Sequence, residues 1–194
     1  MEILIIDGGP RRGGSTSTIL KSMQNTLEEY HTIKYVEIYS KNIRPCIGCL
    51  HCRPDKACVL KKDDAHIIAE QFKSADLFII GTPTYWGNMT GQLKILFDRC
   101  VPTFEYIEGI KITKMLKGKS AILVTTSAAP YPINMLMNQS RGAIKSLETI
   151  MRSGGVKIVK VFNISRSNTF ESRKSIILGK IDKYMRRNLT TAST

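Results

Sequence analysis

Long apolar runs, histidines and acidic side chains are all scarce in this chain, and tryptophan occurs once, as Trp86. The longest apolar run near the start, Ile3 to Ile6, is broken by Asp7. That is too short for a signal peptide or a membrane span, and no other run approaches spanning length. A cytoplasmic protein with no membrane association is expected, its thiols kept reduced unless bound or catalytic. The three histidines, His31, His51 and His66, lie far from one another, and no Ser-His-Asp or Cys-His arrangement is apparent. Internal repeats, low-complexity tracts and linkers are missing too, so the 194 residues read as a single domain, 1–194, with its own core.

Acidic residues number 16 against 29 lysines and arginines, a formal net charge of +13. Such a balance invites a nucleic-acid partner. The basic residues are spread along the chain, however, and no recognised nucleic-acid motif accompanies them. A basic surface that aids solubility and attracts anionic small molecules is expected instead, with no nucleic acid bound.

What is present is a regular alternation. "MEILIIDGG", "IKYVEIY", "LFIIGTP", "KSAILVTTS" and "VKIVKVFNI" read as five strands. Between and after them come helical patterns. "STSTILKSMQNTLEEYH" carries Ile19, Leu20, Met23 and Leu27 on one face, with serines and threonines available as caps. "KDDAHIIAEQFKSAD" is capped by Asp63 or Asp64 and turns Ala65, Ile68, Phe72 and Ala75 inward. "MTGQLKILFDRC" buries Leu93, Leu96 and Phe97, with Cys100 on the same inner face. "PINMLMNQSRGAIKSLETIMRSGG" reads as one long helix that buries Ile133, Leu136, Met137, Ile144, Leu147 and Met151 and stops at Gly154–Gly155. "ESRKSIILGKIDKYMRR" closes the series with Ile177, Ile181 and Tyr184. The alternation implies an α/β, doubly wound parallel sheet with helices on both faces. Ligands in such sheets sit at the carboxyl ends of the strands, near the reversal of strand order.

Three of the loops at those ends stand out. "GGPRRGGSTS", Gly8 to Ser17, leads from the first strand into a helix. Its glycines let the backbone approach a ligand, and the helix start offers N–H groups and partial positive charge to a phosphate. The spacing fits neither the Rossmann glycine fingerprint nor the P-loop, which argues for a monophosphate. "GTPTYWGNMTGQLK", Gly81 to Lys94, places Tyr85 and Trp86 after the third strand. Aromatics in an exposed loop suit a flat heteroaromatic ring, whose polar edge loop N–H groups and Asn88 would meet. The third loop, 45–62, holds Cys46, Cys49, Cys52 and Cys58. Three closely spaced thiols and a fourth returning one suit an iron–sulfur cluster. An empty or redox-active cysteine loop, a zinc site and structural thiols stay open alongside it.

Together these stretches resemble the flavodoxin-like NAD(P)H-dependent FMN reductases. "GGPRRGGST" is similar to the family's phosphate loop, and "TPTYWGNMTGQLKILFDR" to its flavin-ring loop and following helix. "PCIGCLHCRPDKACVLKKDDA" is similar to the compact cysteine motif of its iron–sulfur flavoprotein branch. The resemblance covers nearly the whole chain. It implies a flavodoxin-like fold with strand order 2-1-3-4-5, bound FMN, and a homodimer or homotetramer. It places Pro10, Arg11, Ser15, Thr16 and Ser17 around the FMN phosphate. Pro83, Thr84, Tyr85, Trp86, Gly87, Asn88 and Met89 would line the isoalloxazine, with Thr126 and Ser127 at its other edge. Cys46, Cys49, Cys52 and Cys58 would hold a [4Fe–4S] cluster. One departure stands out: the family's serine after the first glycine is Gly9 here, so a phosphate hydroxyl is lost while the backbone N–H remains.

The expected function is an FMN-dependent oxidoreductase that takes electrons from NADH or NADPH and passes them to a small-molecule acceptor. The alternative is an iron–sulfur flavoprotein that relays electrons between a ferredoxin-like protein and an acceptor. A basic surface complements an acidic ferredoxin. No side chain is expected to act as a catalytic group, since the flavin would carry the chemistry.

Overall fold

The computed structural model describes residues 1–55 and 58–190. Lys56 and Ala57, inside the cysteine loop, and residues 191–194 lie outside the described residues. Five strands form the main sheet: β1 (Glu2–Asp7), β2 (Thr32–Glu37), β3 (Leu77–Pro83), β6 (Ser120–Thr126) and β7 (Lys157–Ile164). They pair in the order β2-β1-β3-β6-β7, all parallel. This is the 2-1-3-4-5 order of the resemblance. The numbering is offset by β4 (Glu105–Glu108) and β5 (Lys111–Lys114), an antiparallel hairpin that the strand pattern did not suggest.

The three central strands are buried on both faces, so their residues alternate between two cores rather than between core and water. Leu4, Ile6, Phe78, Ile80, Ala121 and Leu123 pack on one side. Helices α3 (Asp64–Ser74), α4 (Gly91–Arg99), α5 (Val101–Phe104) and α7 (Gln139–Ser153) cover that side. Phe72 sits at its centre, with edge-on contacts to Phe78 and Phe104 at 5.1 Å each. Ile3, Ile5, Leu77, Ile79, Ile122 and Val124 face the other side, under α1 (Ser15–Leu27) and α8 (Phe170–Leu189). Each fully buried Ile or Leu contributes about 1.5–3 kcal/mol, which makes the sheet the rigid base for the loops at its carboxyl ends. No helix among the described residues is long and apolar enough to cross a membrane.

Two helix expectations change. The serines and threonines do not cap α1: its N-cap is Gly14, with no side-chain hydrogen bond. The long helix over "PINMLMNQSRGAIKSLETIMRSGG" is two helices, α6 (Ile133–Leu136) and α7, separated by Asn138 at φ +58°. Asparagine tolerates the left-handed region better than most residues. The break leaves Ile133, Leu136 and Met137 exposed, while Leu147 and Met151 stay buried and Ile144 is half-buried. Asp63, not Asp64, caps α3. Its carboxylate accepts from the Ala65 N–H, and His66 Nδ1 accepts from the Asp63 N–H. Cys100 is buried as expected, and burial pushes its thiol up to about 12.

Candidate functional site

The chain reverses direction across the sheet at β1, which has β2 on one side and β3 on the other. A cleft of about 140 Å³ opens at the carboxyl ends there. The loops after β1, β3 and β6 build most of it, and backbone hydrogen bonds hold them together. The Gly8 N–H donates to the Gly81 carbonyl at 2.8 Å, and the Thr84 N–H donates to the Thr126 carbonyl at 2.9 Å. Thr90 Oγ1 donates to the Gly8 carbonyl at 2.9 Å. The Thr16 and Thr126 hydroxyls are 2.8 Å apart and buried. The first and last loops are therefore fixed to each other.

From the first loop, Pro10, Arg11, Ser15 and Thr16 line the cleft. Helix α1 starts there with no capping side chain and no acidic residue in its first turn. The N–H groups of Ser15, Thr16 and Ser17 precede the first internal helix bond, Thr18 N–H to the Gly14 carbonyl. That is a donor set matched to an anion. Arg12 turns away to pair with Glu37 at 3.1 Å, so Arg11 is the arginine at the cleft. The Ser17 side chain is buried and donates to the Arg11 carbonyl, which shapes the loop from behind. The Gly9 N–H is not left over for a phosphate. It donates to Asp7 Oδ1 at 2.8 Å, and Asp7 Oδ2 accepts from the Tyr35 hydroxyl. Burial first, then the Asp7 carboxylate, push the Tyr35 hydroxyl's pKa far above its usual range.

From the second loop, Pro83, Thr84 and Tyr85 line the cleft. Tyr85 and Asn88 exchange backbone hydrogen bonds at 2.9 and 3.0 Å across a two-residue turn. Its central residues, Trp86 and Gly87, have φ of +51° and +72°. A tryptophan at positive φ is strained by the order of 1–3 kcal/mol, and this one is fully exposed. Trp86, Gly87, Asn88 and Met89 do not line the cleft themselves. Asn88 Oδ1 accepts from the Met89 N–H, and Met89 is buried in the core. From the third loop come Thr126 and Ser127, both buried and both on the cleft. The sequence reading missed Gly14, Ala128 and Ser167 as lining residues. Ser167 follows β7, and its strand-end position was the available signal.

The cysteine loop lies against the C-terminal end of α4. Cys46, Cys49, Cys52 and Cys58 all line one small pocket of about 30 Å³, which Asp98 and Arg99 also line. Gly48 and Leu50, between the first cysteines, take φ of +67° and +59°, the tight turns that short spacing demands. All five cysteines are free thiols. Cys46 and Cys49 are exposed while Cys52 and Cys58 are half-buried, so a group held there stands at the surface. Burial, then the neighbouring Cys58 and Cys46 thiols, push the Cys52 thiol up. Among the described residues no three His, Cys, Asp or Glu side chains converge as a single-ion site. A cubane cluster spreads its ligands over four irons and does not need that convergence.

A family model described as a flavodoxin-like fold matches residues 1–187. The chain belongs to that flavodoxin-like family. An iron–sulfur flavoprotein of Methanocaldococcus jannaschii is 37% identical over 124 residues, 64% of this chain and 60% of that protein. Other iron–sulfur flavoproteins are matched over about half of their length. A solved structure of a Streptococcus mutans protein superposes with a TM-score of 0.80 at 25% identity, covering 96% of this chain and 100% of that one. An FMN-dependent NADH-azoreductase of Bacillus anthracis, solved in complex with FMN, gives 0.77 at 14% identity over 96% and 98%. At that identity the likeness is one of fold.

Proposed function

We propose that this chain is an electron-transferring flavoprotein that binds FMN in the three-loop cleft and a [4Fe–4S] cluster in the cysteine loop. The observation that carries the proposal is that the aromatic loop beside the three-loop cleft and the four-cysteine pocket lie at the two ends of one helix. Helix α4 follows the aromatic loop at its N-terminus and ends with Arg99 at the cysteine pocket. Its length, from Gly91 to Arg99, is about 12 Å. FMN, when bound, supplies one- and two-electron chemistry, and a [4Fe–4S] cluster supplies one-electron chemistry.

The chain's own part is binding and orientation. Arg11 and the first-turn N–H groups of Ser15, Thr16 and Ser17 hold a phosphate. Pro83, Thr84 and Tyr85 form one wall for a flat ring, and the Thr126 and Ser127 end of β6 forms the other. The turn carrying Trp86, Gly87 and Asn88 sets the angle of Tyr85, while Met89 anchors that turn in the core. Cys46, Cys49, Cys52 and Cys58 supply four thiolates.

The named relatives favour the relay, in which a ferredoxin-like protein delivers electrons for a small acceptor. Direct reduction by NADH or NADPH, the leading expectation from sequence, would give the cysteine loop no part in the reaction. The deciding experiment is a visible spectrum with iron and acid-labile sulfide assays on protein purified without oxygen. Flavin with roughly four irons per chain, and bleaching by reduced ferredoxin faster than by NADPH, is the expected result. Flavin without iron, bleached rapidly by NADH or NADPH, would replace the relay with a plain FMN reductase. Protein with neither flavin nor iron would remove both.

A further inference from the structure

Arg99 ends α4 with a side chain that is 1% exposed. Its Nη1 donates to Asp63 Oδ2 at 2.7 Å and to the Arg44 carbonyl at 2.8 Å, and its Nη2 donates to Asp63 Oδ1 at 3.2 Å. Arg44 precedes the first cysteine of the loop and Asp63 follows the last. One guanidinium therefore ties together both feet of the loop that holds the four thiols. The Arg44 N–H adds a bond to Asp63 Oδ2 at 3.1 Å. The Nε–H of Arg99 is buried and makes no hydrogen bond within the described residues.

Structural fastening explains the Asp63 bonds. It does not explain why a cation was placed against the thiols. Arg99 lines the cysteine pocket and Asp63 does not, so the positive end of the pair faces the sulfur atoms. Burial alone would pull the guanidinium's pKa down. The bidentate pair with the Asp63 carboxylate more than offsets this, and a guanidinium stays protonated in any case. The other charged side chain among the described residues that line the pocket, Asp98, forms an ion pair with Lys94.

We propose that Arg99 sets the reduction potential of the group held by the cysteines, through a fixed positive charge beside Cys58. The proposal rests on the cluster reading above. Four thiolates outweigh the positive charge of a [4Fe–4S] core, and a one-electron reduction adds a further negative charge without moving any atom far. A buried cation beside the thiolates stabilises the reduced form more than the oxidised form, and burial keeps water from screening it. Arginine suits the position because it stays protonated and its planar fork can serve Asp63 and the Arg44 carbonyl at once.

The test uses anaerobically prepared holoprotein: wild type, Arg99→Lys, Arg99→Gln and Asp63→Asn. Iron and sulfide are assayed first, and the midpoint potential is then followed by electron paramagnetic resonance during a dithionite titration. Arg99→Gln should lower the reduction equilibrium constant about tenfold, or about 59 mV for one electron. Arg99→Lys keeps the charge though not the fork, so where it loads iron its potential should stay within about threefold of wild type in the reduction equilibrium. Asp63→Asn, which leaves the cation uncompensated, should move the potential upward. A role confined to fastening the loop would move both neutralising variants the same way, by loosening the site.

Full iron in Arg99→Gln with an unchanged potential overturns the assignment. So does a fall in Asp63→Asn, which carries the test on its own if Arg99→Gln fails to load iron. Wild-type protein without iron overturns the cluster reading instead, and that is a separate outcome.

Discussion

The backbone carbonyl oxygen of Gly87 stands 2.1 Å from the point where a Cβ on Gly142 would lie. Gly142 is inside α7, where glycine ordinarily costs up to about 1 kcal/mol against alanine. Here it lets the helix press directly on the turn that carries Tyr85. Gly142→Ala should therefore push the turn outward. FMN dissociation should rise roughly tenfold, about 1.4 kcal/mol, while circular dichroism shows the helix intact. Flavin fluorescence titration measures the first effect, and unchanged affinity would show that the turn does not shape the flavin wall.

Trp86 separates stability from binding. At φ +51° it is strained, and glycine would occupy the same backbone without that penalty. Trp86→Gly should raise the stability of the flavin-free protein by about 1 kcal/mol, read by urea unfolding. The same variant should bind FMN less tightly if the indole covers the ring. Loss of stability would mean that the exposed indole packs against something more valuable than relaxed backbone.

Asp7 sets a carboxylate behind the glycine-rich loop after β1, in the place where it captures the Gly9 N–H. Asp7→Asn keeps an acceptor for Gly9 and can donate its amide to Tyr35, so the loop should survive. Removing the negative charge should tighten FMN a few-fold and leave riboflavin unchanged. Equal changes for the two ligands would place the phosphate elsewhere. Replacing Arg11 by Gln should do the reverse, weakening FMN more than riboflavin.

Burial would raise the Asp63 carboxyl's pKa, but hydrogen bonds from Arg99 and the Arg44 N–H hold it at about 2. A carboxyl depressed in the folded state adds stability above its unfolded pKa and loses it as pH falls through the folded value. The gain, roughly 2 kcal/mol, should be complete above about pH 5 and gone below about pH 2. A carbon NMR titration of the Asp63 carboxyl checks it directly: a midpoint near an ordinary aspartate's would mean the Arg99 pair is not formed. Asp63→Asn should cost about 3–5 kcal/mol, because the buried guanidinium is left unpaired.

Much of the fold could be read from the sequence because its signal is local. The three central strands hold continuous apolar runs, the two edge strands hold runs interrupted by Lys34 and Lys160, and all five stand where those runs are. The glycine-rich loop after β1 and the cysteines were visible as spacing. What could not be read depended on local turn geometry or on contacts between distant segments. The periodicity of Ile133, Leu136 and Met137 continues smoothly into α7, and only the left-handed Asn138 breaks it. The capture of the Gly9 N–H by Asp7 is a local turn, two residues apart, that hydrophobic periodicity does not show, whereas the clasp of Arg99 on Asp63 is tertiary. The first closes a donor that the loop's sequence leaves open. The second joins residues 36 positions apart.

The Asn42 N–H donates to Asp64 Oδ2 at 2.7 Å, and the Asp64 N–H donates to the Asn42 carbonyl at 3.3 Å. The cysteine segment thus leaves the sheet's edge and comes back to nearly the same point. A detour closed at its own base can be shortened, lengthened or exchanged without redirecting the strand before it or the helix after it. This makes the segment a detachable module of the scaffold. Replacing residues 46–61 by a short turn that keeps Arg44 and Asp63 should leave a folded, flavin-binding remainder in which Arg99 still holds both feet of the detour but faces no thiol.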